Sequence, residues 1–358
     1  MNFKRRIRKL RKKMEESRVD IALFLSLEPI DDQNIYYFTG FQQERYHSFA
    51  CYIVTQDKTV LILSGLDYER ASGKEADEVV KKNAPLHIML KRYIKKNQVI
   101  GIMERIFPYY LAKKLGRTKD ITKIISEMRA VKDSEEIELL RKSCKIANRG
   151  IKFIKNNLRD DISEREFALE LERFLLKKAD EMSFPTIVVS SLRSAQIHPY
   201  LPSSSQKIKR GLGYIDFGVR YGGYCSDVTV PFSVGKLTEK EKKIVDTVLM
   251  AYKNSLSILK PGISASKLFS AADKTIKKEG FELKHGLGHG IGLDTHDFPS
   301  LSQGSAKGIN KIKSGMVFTI EPGVYVPGIG GCRLENDFLM GKEKFEILTK
   351  SSFLDITL

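Results

Sequence analysis

The chain has 358 residues, with 61 Lys and Arg against 44 Asp and Glu, a formal net charge of +17. That length suits two domains with buried cores, and a 42 % hydrophobic share without an apolar run of bilayer length excludes a membrane-spanning helix. The lysines spread along the whole chain without interleaved aromatics, so the charge reads as a solvated surface and nucleic-acid binding is disfavoured.

Residues 1–17 read as a charged surface helix, with Leu10 and Met14 at helical spacing, and lack the apolar core of a secretory signal. Residues 21–27 (IALFLSL) are a buried strand. Residues 34–41 (NIYYFTGF) are aromatic and end at a glycine turn, and 48–64 form two strands around Gln56-Asp57-Lys58. A charged helix is expected near 67–82, a strand at 98–103 and a helix over 108–115. This alternation predicts an α/β domain with nothing catalytic in it. Four cysteines, Cys51, Cys144, Cys225 and Cys332, are scattered without a CxxC pair, as expected of reduced thiols in the cytoplasm.

MRAVKDSEE (128–136) marks the boundary to a second domain. Asp133 with Glu136, Ser163 with Glu166, and Thr238 with Glu241 are capping-box pairs, and Ser264 starts a fourth helix that ends at Gly280. The four helices fall into two pairs, each followed by strand-like segments, so the region from 133 on reads as two similar halves. The first half carries Asp216 in YIDFG and Asp227 in YCSDVT. The second carries the stretch HGLGHGIGLDTH (285–296), Glu321 in TIEPG and Glu335 in RLEND.

Each of these four acids lies in an apolar, β-type run, where a charge is costly unless paired or bound to a metal. With His289 they form an oxygen-rich set of the kind that takes a pair of divalent transition metals. Gly222-Gly223 signals a two-residue hairpin that sets Tyr221 against Tyr224 and Gly218 against Asp227, making Asp216 and Asp227 diagonal neighbours on one face. Glu321 and Glu335 flank the turn-like run 327–331 and are equidistant from residue 328, so a hairpin there places them opposite one another, with a cation as the remedy for their repulsion.

These residues and their order resemble the pita-bread dinuclear metallopeptidases: prolidase, aminopeptidase P and methionine aminopeptidase. The resemblance covers roughly residues 130–350. It implies that Asp216 chelates one ion, that Asp227 and Glu335 bridge both, and that His289 and Glu321 bind the other. His296, seven residues after His289, resembles the family's proton-shuttling, substrate-binding histidine. His198 falls where the family places a second substrate-contacting histidine, and Arg333 matches an arginine near the bridging acid in aminopeptidase P. Residues 1–128 resemble the creatinase-type N-terminal α/β domain, and residues 129–358 the α+β pita-bread catalytic domain with pseudo-twofold halves. Methionine aminopeptidases lack the first domain, which favours the Xaa-Pro branch.

The function so implied is hydrolysis of the bond between an N-terminal residue and proline, in Xaa-Pro dipeptides or longer peptides. Glu321 is the proton acceptor and a hydroxide bridging two divalent ions is the nucleophile; manganese is foremost, with cobalt, iron or zinc also admitted. The resemblance also implies a homodimer. The rival reading is a non-catalytic relative that binds protein or nucleic acid, against which the intact set of five ligands argues. Ser300 stands four residues after His296, where some prolidases carry an arginine.

Overall fold

The computed structural model describes residues 1–28, 32–43, 49–304 and 311–356. They form two compact units, Met1–Met128 and Arg129–Leu358.

The first unit is built on a six-stranded sheet in the order Glu78–Lys81, Thr59–Leu63, Phe49–Val54, Ile21–Leu27, Val99–Ile102, Arg117–Asp120. The central strand Ile21–Leu27 pairs antiparallel with Phe49–Val54 and parallel with Val99–Ile102, and Ile21, Leu23, Ile53 and Ile62 fill its core. Ser48, first residue of the expected strand pair, lies outside the described residues. The helix Phe3–Glu16 buries Leu10 and Met14, as their spacing predicts, and also Arg6. The Arg6 guanidinium escapes an unpaired burial by donating to the Tyr37 carbonyl at 2.8 Å and lying over the Tyr37 ring.

The charged helix expected near 67–82 is not formed as such. A short helix, Gly65–Arg70, is followed by the edge strand Glu78–Lys81. Ser72-Gly73 breaks the helix: Gly73 takes a positive φ of 78°, and the Ser72 amide and hydroxyl both donate to Glu75. The backbone of Glu78–Lys81 then completes the sheet beside Thr59–Leu63.

The second unit has the two-part plan. Helices Ser134–Asn157 and Glu164–Leu175 cover a four-stranded sheet ordered Leu354–Ile356, Val228–Val234, Gly211–Phe217, Ile187–Ser190. Helices Glu239–Ser257 and Ala265–Lys278 cover a five-stranded sheet ordered Asp297–Leu301, Gly288–Gly290, Val317–Ile320, Asn336–Met340, Phe345–Ile347. All three capping boxes are closed in both directions, and Ser264 caps the fourth helix through the Lys267 amide. Each cap contributes about 1 kcal/mol and satisfies an otherwise orphaned amide at a helix start.

Each half also contains a long hairpin split between two sheets. In the first, Tyr221 opposes Tyr224 across Gly222-Gly223, and Phe217 opposes Val228 farther down. Both pairings belong to one register, which sets Gly218 against Asp227. In the second, Gly323 opposes Arg333 and Ile320 opposes Asn336, again one register, which sets Glu321 against Glu335. The two expected hairpins are therefore present, and the ladder in each is interrupted where the acids lie. No helix among the described residues is long and apolar enough to cross a membrane.

Candidate active site

A cavity of about 680 Å³ opens between the two halves of the second unit. Asp216, Asp227, His289, Glu321, Glu335, His198, His296 and Arg333 all line it, so the structure brings every sequence-predicted residue to one place. Asp227 stands at the break of the first hairpin. The opposing Gly218 is required there because a Cβ would fall 1.9 Å from the Ser226 carbonyl oxygen. The space beside the glycine is thus filled by backbone. Glu321 and Glu335 stand at the break of the second hairpin, and the Glu335 amide crosses to the Thr229 carbonyl of the first half at 3.3 Å.

His289 enters from the short strand Gly288–Gly290, squeezed by Gly288, where a Cβ would meet the Thr319 carbonyl oxygen at 2.2 Å. Its Nδ1 lies 3.1 Å from the Gly290 carbonyl, which only a protonated nitrogen can approach favourably. Nε2 is then the lone-pair nitrogen, and it faces Asp227 Oδ2 and Glu321 Oε1, each at 3.6 Å. Burial first, and His296 second, push the His289 pKa down to about 4, so the ring is neutral near pH 7 and these contacts are not ion pairs. A lone pair directed at two ionised carboxylates is repulsive unless a proton or a cation lies among them.

The acids tell the same story. Burial, reinforced by Glu335 and Asp216, raises the Asp227 pKa well above the ordinary carboxylate range. Burial, then Glu321 and Asp216, does the same to Glu335. Glu321 is pushed up to about 8, mostly by burial, against the pull of Arg333. Like charges crowded in low dielectric cannot all ionise without a compensating cation. Ligand atoms of Asp227, His289 and Glu335 fall within 4.8 Å of one another, and Asp216 Oδ1 is buried with no hydrogen-bond partner. The donor set, one imidazole and four carboxylates, fits divalent cations.

Arg333 is the cation the fold itself supplies. Its Nη2 donates to Asp216 Oδ2 at 2.5 Å, Nη1 to the Tyr325 hydroxyl at 2.8 Å, and Nε to Thr229 Oγ1 at 3.1 Å. The guanidinium also lies 4.4 Å from the centroid of the Tyr214 ring. With so many partners it braces the site from behind. The Tyr325 hydroxyl reaches His285 Nε2 at 3.0 Å, while His285 Nδ1 lies 2.8 Å from the Gly286 carbonyl.

Against known proteins, residues 138–342 match metallopeptidase family M24, and residues 6–131 match the creatinase/prolidase N-terminal domain. The chain belongs to metallopeptidase family M24. It is 35 % identical over 360 residues to the Xaa-Pro dipeptidase of Pyrococcus furiosus, covering 98 % of this chain and 99 % of that one. The structure of prolidase from P. furiosus superposes with a TM-score of 0.84 at 32 % identity, covering 96 % of this chain and 99 % of that one. The X-Pro aminopeptidase from Thermotoga maritima superposes with a TM-score of 0.86 at 28 % identity, covering 98 % and 99 %. The fold is therefore the creatinase-type α/β domain followed by the α+β catalytic fold of the M24 peptidases.

In this M24 chain the two remaining histidines stand at the cavity wall and are exposed. The His296 ring packs on His289 with 4.3 Å between centroids. Partial desolvation at the cavity wall, and then Arg333, lower the pKa of His198. Phe184, Pro185, Ile187, Ile197 and Pro199 form an apolar wall beside them.

Sequence reasoning missed Asp337, which lies two residues past Glu335 in the apolar strand Asn336–Met340. Its Oδ2 accepts from the Asp227 amide at 3.1 Å and the Cys144 thiol at 3.4 Å, and burial pushes its pKa up to about 7. The signal was present in the sequence, an acid inside an apolar strand, but adjacency to Glu335 masked it.

Proposed function

We propose that the chain is a dinuclear Xaa-Pro dipeptidase, a peptidase that cleaves the bond between an N-terminal residue and proline. The observation that carries the reading is the neutral His289 whose Nε2 faces Asp227 and Glu321 at 3.6 Å, within a cluster of buried acids that can be ionised together only with cations among them. Asp216, Asp227, His289, Glu321 and Glu335 would hold two divalent ions, manganese foremost. Bound there, the ions would supply Lewis acidity and a water acidic enough to ionise near about pH 7.

The chain's own groups carry out the rest. Glu321 presents Oε1 to His289 and leaves Oε2, 3.9 Å from His285 Nδ1, to take the proton of the attacking water. His296 and His198 hydrogen-bond to the oxygen that gains charge during attack and orient the proline side. The apolar wall of Phe184, Pro185 and Ile197 receives the proline ring. Proline has no N–H on the scissile side, so the ring leaves no donor unsatisfied on that wall. Arg333 pins Asp216, while Thr229 pins Glu335. In the same reading residues 129–358 are the catalytic domain, residues 1–128 the creatinase-type domain, and the enzyme is a cytoplasmic homodimer.

The test is hydrolysis of an Xaa-Pro dipeptide panel with Mn²⁺ added, beside Xaa-Ala dipeptides and the same Xaa-Pro sequences extended by two residues. Cleavage confined to Xaa-Pro, with higher kcat/KM for the dipeptide, is expected. Equal cleavage of Xaa-Ala would sink the proline assignment, and a large preference for the extended peptide would make the enzyme an aminopeptidase.

A further inference from the structure

His296 makes no hydrogen bond to protein through its ring among the described residues; its ring packs on His289 at an interplanar angle of 50°. Its place therefore depends on the backbone that carries it. That backbone, residues 293–297, leaves the strand Gly288–Gly290 through Gly292 and re-enters the sheet at Asp297–Leu301. Within the turn the Gly292 amide donates to the Asp294 carbonyl at 3.1 Å, and its first residues are tied across to the first half: the Gly292 carbonyl accepts the Cys225 amide at 2.8 Å and the Leu293 carbonyl accepts from Arg220 Nη1. These bonds fix residues 292 and 293; the histidine stands beyond them, where the Thr295 hydroxyl reaches the Ser183 carbonyl only at 3.5 Å, and an exposed ring there needs a further restraint to stay in register with the site.

Arg129 supplies one. It lies in the last turn of the helix Thr122–Ala130, and its side chain is 7 % exposed. One nitrogen, Nη2, donates to Asp294 Oδ2 at 2.6 Å and to Asp297 Oδ2 at 3.0 Å. The two acids flank Thr295-His296, so the guanidinium clamps both ends of the tetrapeptide that presents the histidine. Asp297 is held further by its own Oδ1, which accepts the Phe298 amide at 2.9 Å. Lys132 lies alongside, its Nζ buried without a hydrogen-bond partner, as a second positive neighbour of Asp297. The packing is close: a Cβ on Gly292 would fall 2.8 Å from Asp297 Oδ2 and 3.5 Å from Lys132 Nζ. Burying a guanidinium and a neighbouring lysine against Asp297 is an expensive arrangement, and hydrophobic contacts would have closed an ordinary loop more cheaply.

We infer that Arg129 is a positioning residue for His296: through Asp294 and Asp297 it sets the orientation of the imidazole over the reacting bond. This rests on the Xaa-Pro peptidase reading for its kinetic consequence but not for its structural one. Arg129 touches no substrate, and its effect passes through the turn. A displacement of about 1 Å at a catalytic group costs on the order of a hundredfold in rate.

The test compares Arg129→Gln, which removes the charge, with Arg129→Lys, which retains it, each alone and in a His296→Ala background. Arg129→Gln is expected to lower kcat by about a hundredfold with little change in KM and with metal content equal to wild type. Arg129→Lys should recover part of the loss. In the His296→Ala background Arg129→Gln should have almost no further effect, because the group it positions is gone; losses that multiply would overturn the inference. Imidazole ¹H–¹³C spectra give an activity-free reading. The His296 signal, assigned by its loss in His296→Ala, should shift or broaden in Arg129→Gln while that of His87 stays put. An unmoved His296 signal overturns the inference even if the protein proves to cleave no Xaa-Pro bond. Should Arg129→Gln fail to fold, Asp294→Asn removes the half-exposed arm of the clamp and is read in the same way.

Discussion

The Thr229 hydroxyl donates to Glu335 Oε2 at 2.7 Å, joining the two halves of the catalytic unit at the metal-type site. The same oxygen accepts from Arg333 Nε at 3.1 Å, and Arg333 in turn holds Asp216. One hydroxyl thus couples two of the acids, one from each half. Thr229→Val keeps the shape, is β-branched like threonine and suits the strand, but leaves a carboxylate oxygen and a guanidinium N–H without their partner. Buried groups left unsatisfied cost about 1–3 kcal/mol, and loss of such supporting bonds lowers metal affinity or activity about 10–100-fold. Metal titration and thermal unfolding of the variant check both figures; wild-type behaviour in both would remove Thr229 from the account.

The division between holding metal and acting on substrate separates three residues. Asp227→Asn replaces an anionic oxygen ligand by a weak neutral one, and His289→Ala removes the imidazole that faces two acids. Elemental analysis of both should show most of the metal lost, against up to two ions per chain in wild type, as a two-metal site requires. His296→Ala should keep its metal and lose kcat by about 10²–10⁴-fold, the usual range for proton transfer and its supports. If His296→Ala loses as much metal as His289→Ala, the roles are wrongly divided.

Acid crowding makes the stability of metal-stripped protein fall with rising pH. Glu321 is pushed from 4.5 to about 8, chiefly by burial, and Asp227 and Glu335 are raised by burial and by their acidic neighbours. In the unfolded chain these groups titrate near about 4. Between the two values the folded protein binds more protons than the unfolded one, so its stability is greatest at the acid end and declines as pH rises through the folded pKa. Divalent ions favour the ionised acids and oppose the decline. Thermal unfolding of chelator-treated and Mn²⁺-reconstituted protein across this window should show a Tm gap that widens towards pH 8. His289, held down to about 4, pulls the other way below about pH 6.5, so a stripped protein that grows more stable from pH 7 to pH 8 would contradict the clustering.

Much of this was legible in the sequence because it is written in local chemistry. Capping boxes at Asp133, Ser163 and Thr238 start helices through side chains three residues apart, and Gly222-Gly223 turns a hairpin through positive φ at both positions, 57° and 84°. Strand period and turn centre together set the register, which is why Asp227 could be placed against Gly218 and Glu321 against Glu335 from spacing alone. The same locality explains the failure at 67–82: charge and length suggest a helix there, whereas Glu78–Lys81 is a strand because a neighbouring strand offers its backbone a partner, a fact no local pattern carries.

Tertiary structure alone decided the rest, since it depends on which distant groups share a buried volume. It aims His289 Nε2 at Asp227 and Glu321, turns Arg333 inward onto Asp216, Tyr325 and Thr229, and sets Asp337 beneath the Asp227 amide. It also brings Arg129 across 165 residues of chain to Asp294. The sequence by itself determined the set of acids and the imidazole, because charges inside apolar strands need a reason. Only the fold determined how those charges are shared, because electrostatic pairing in a low-dielectric interior depends on distances that the chain's local conformation does not set.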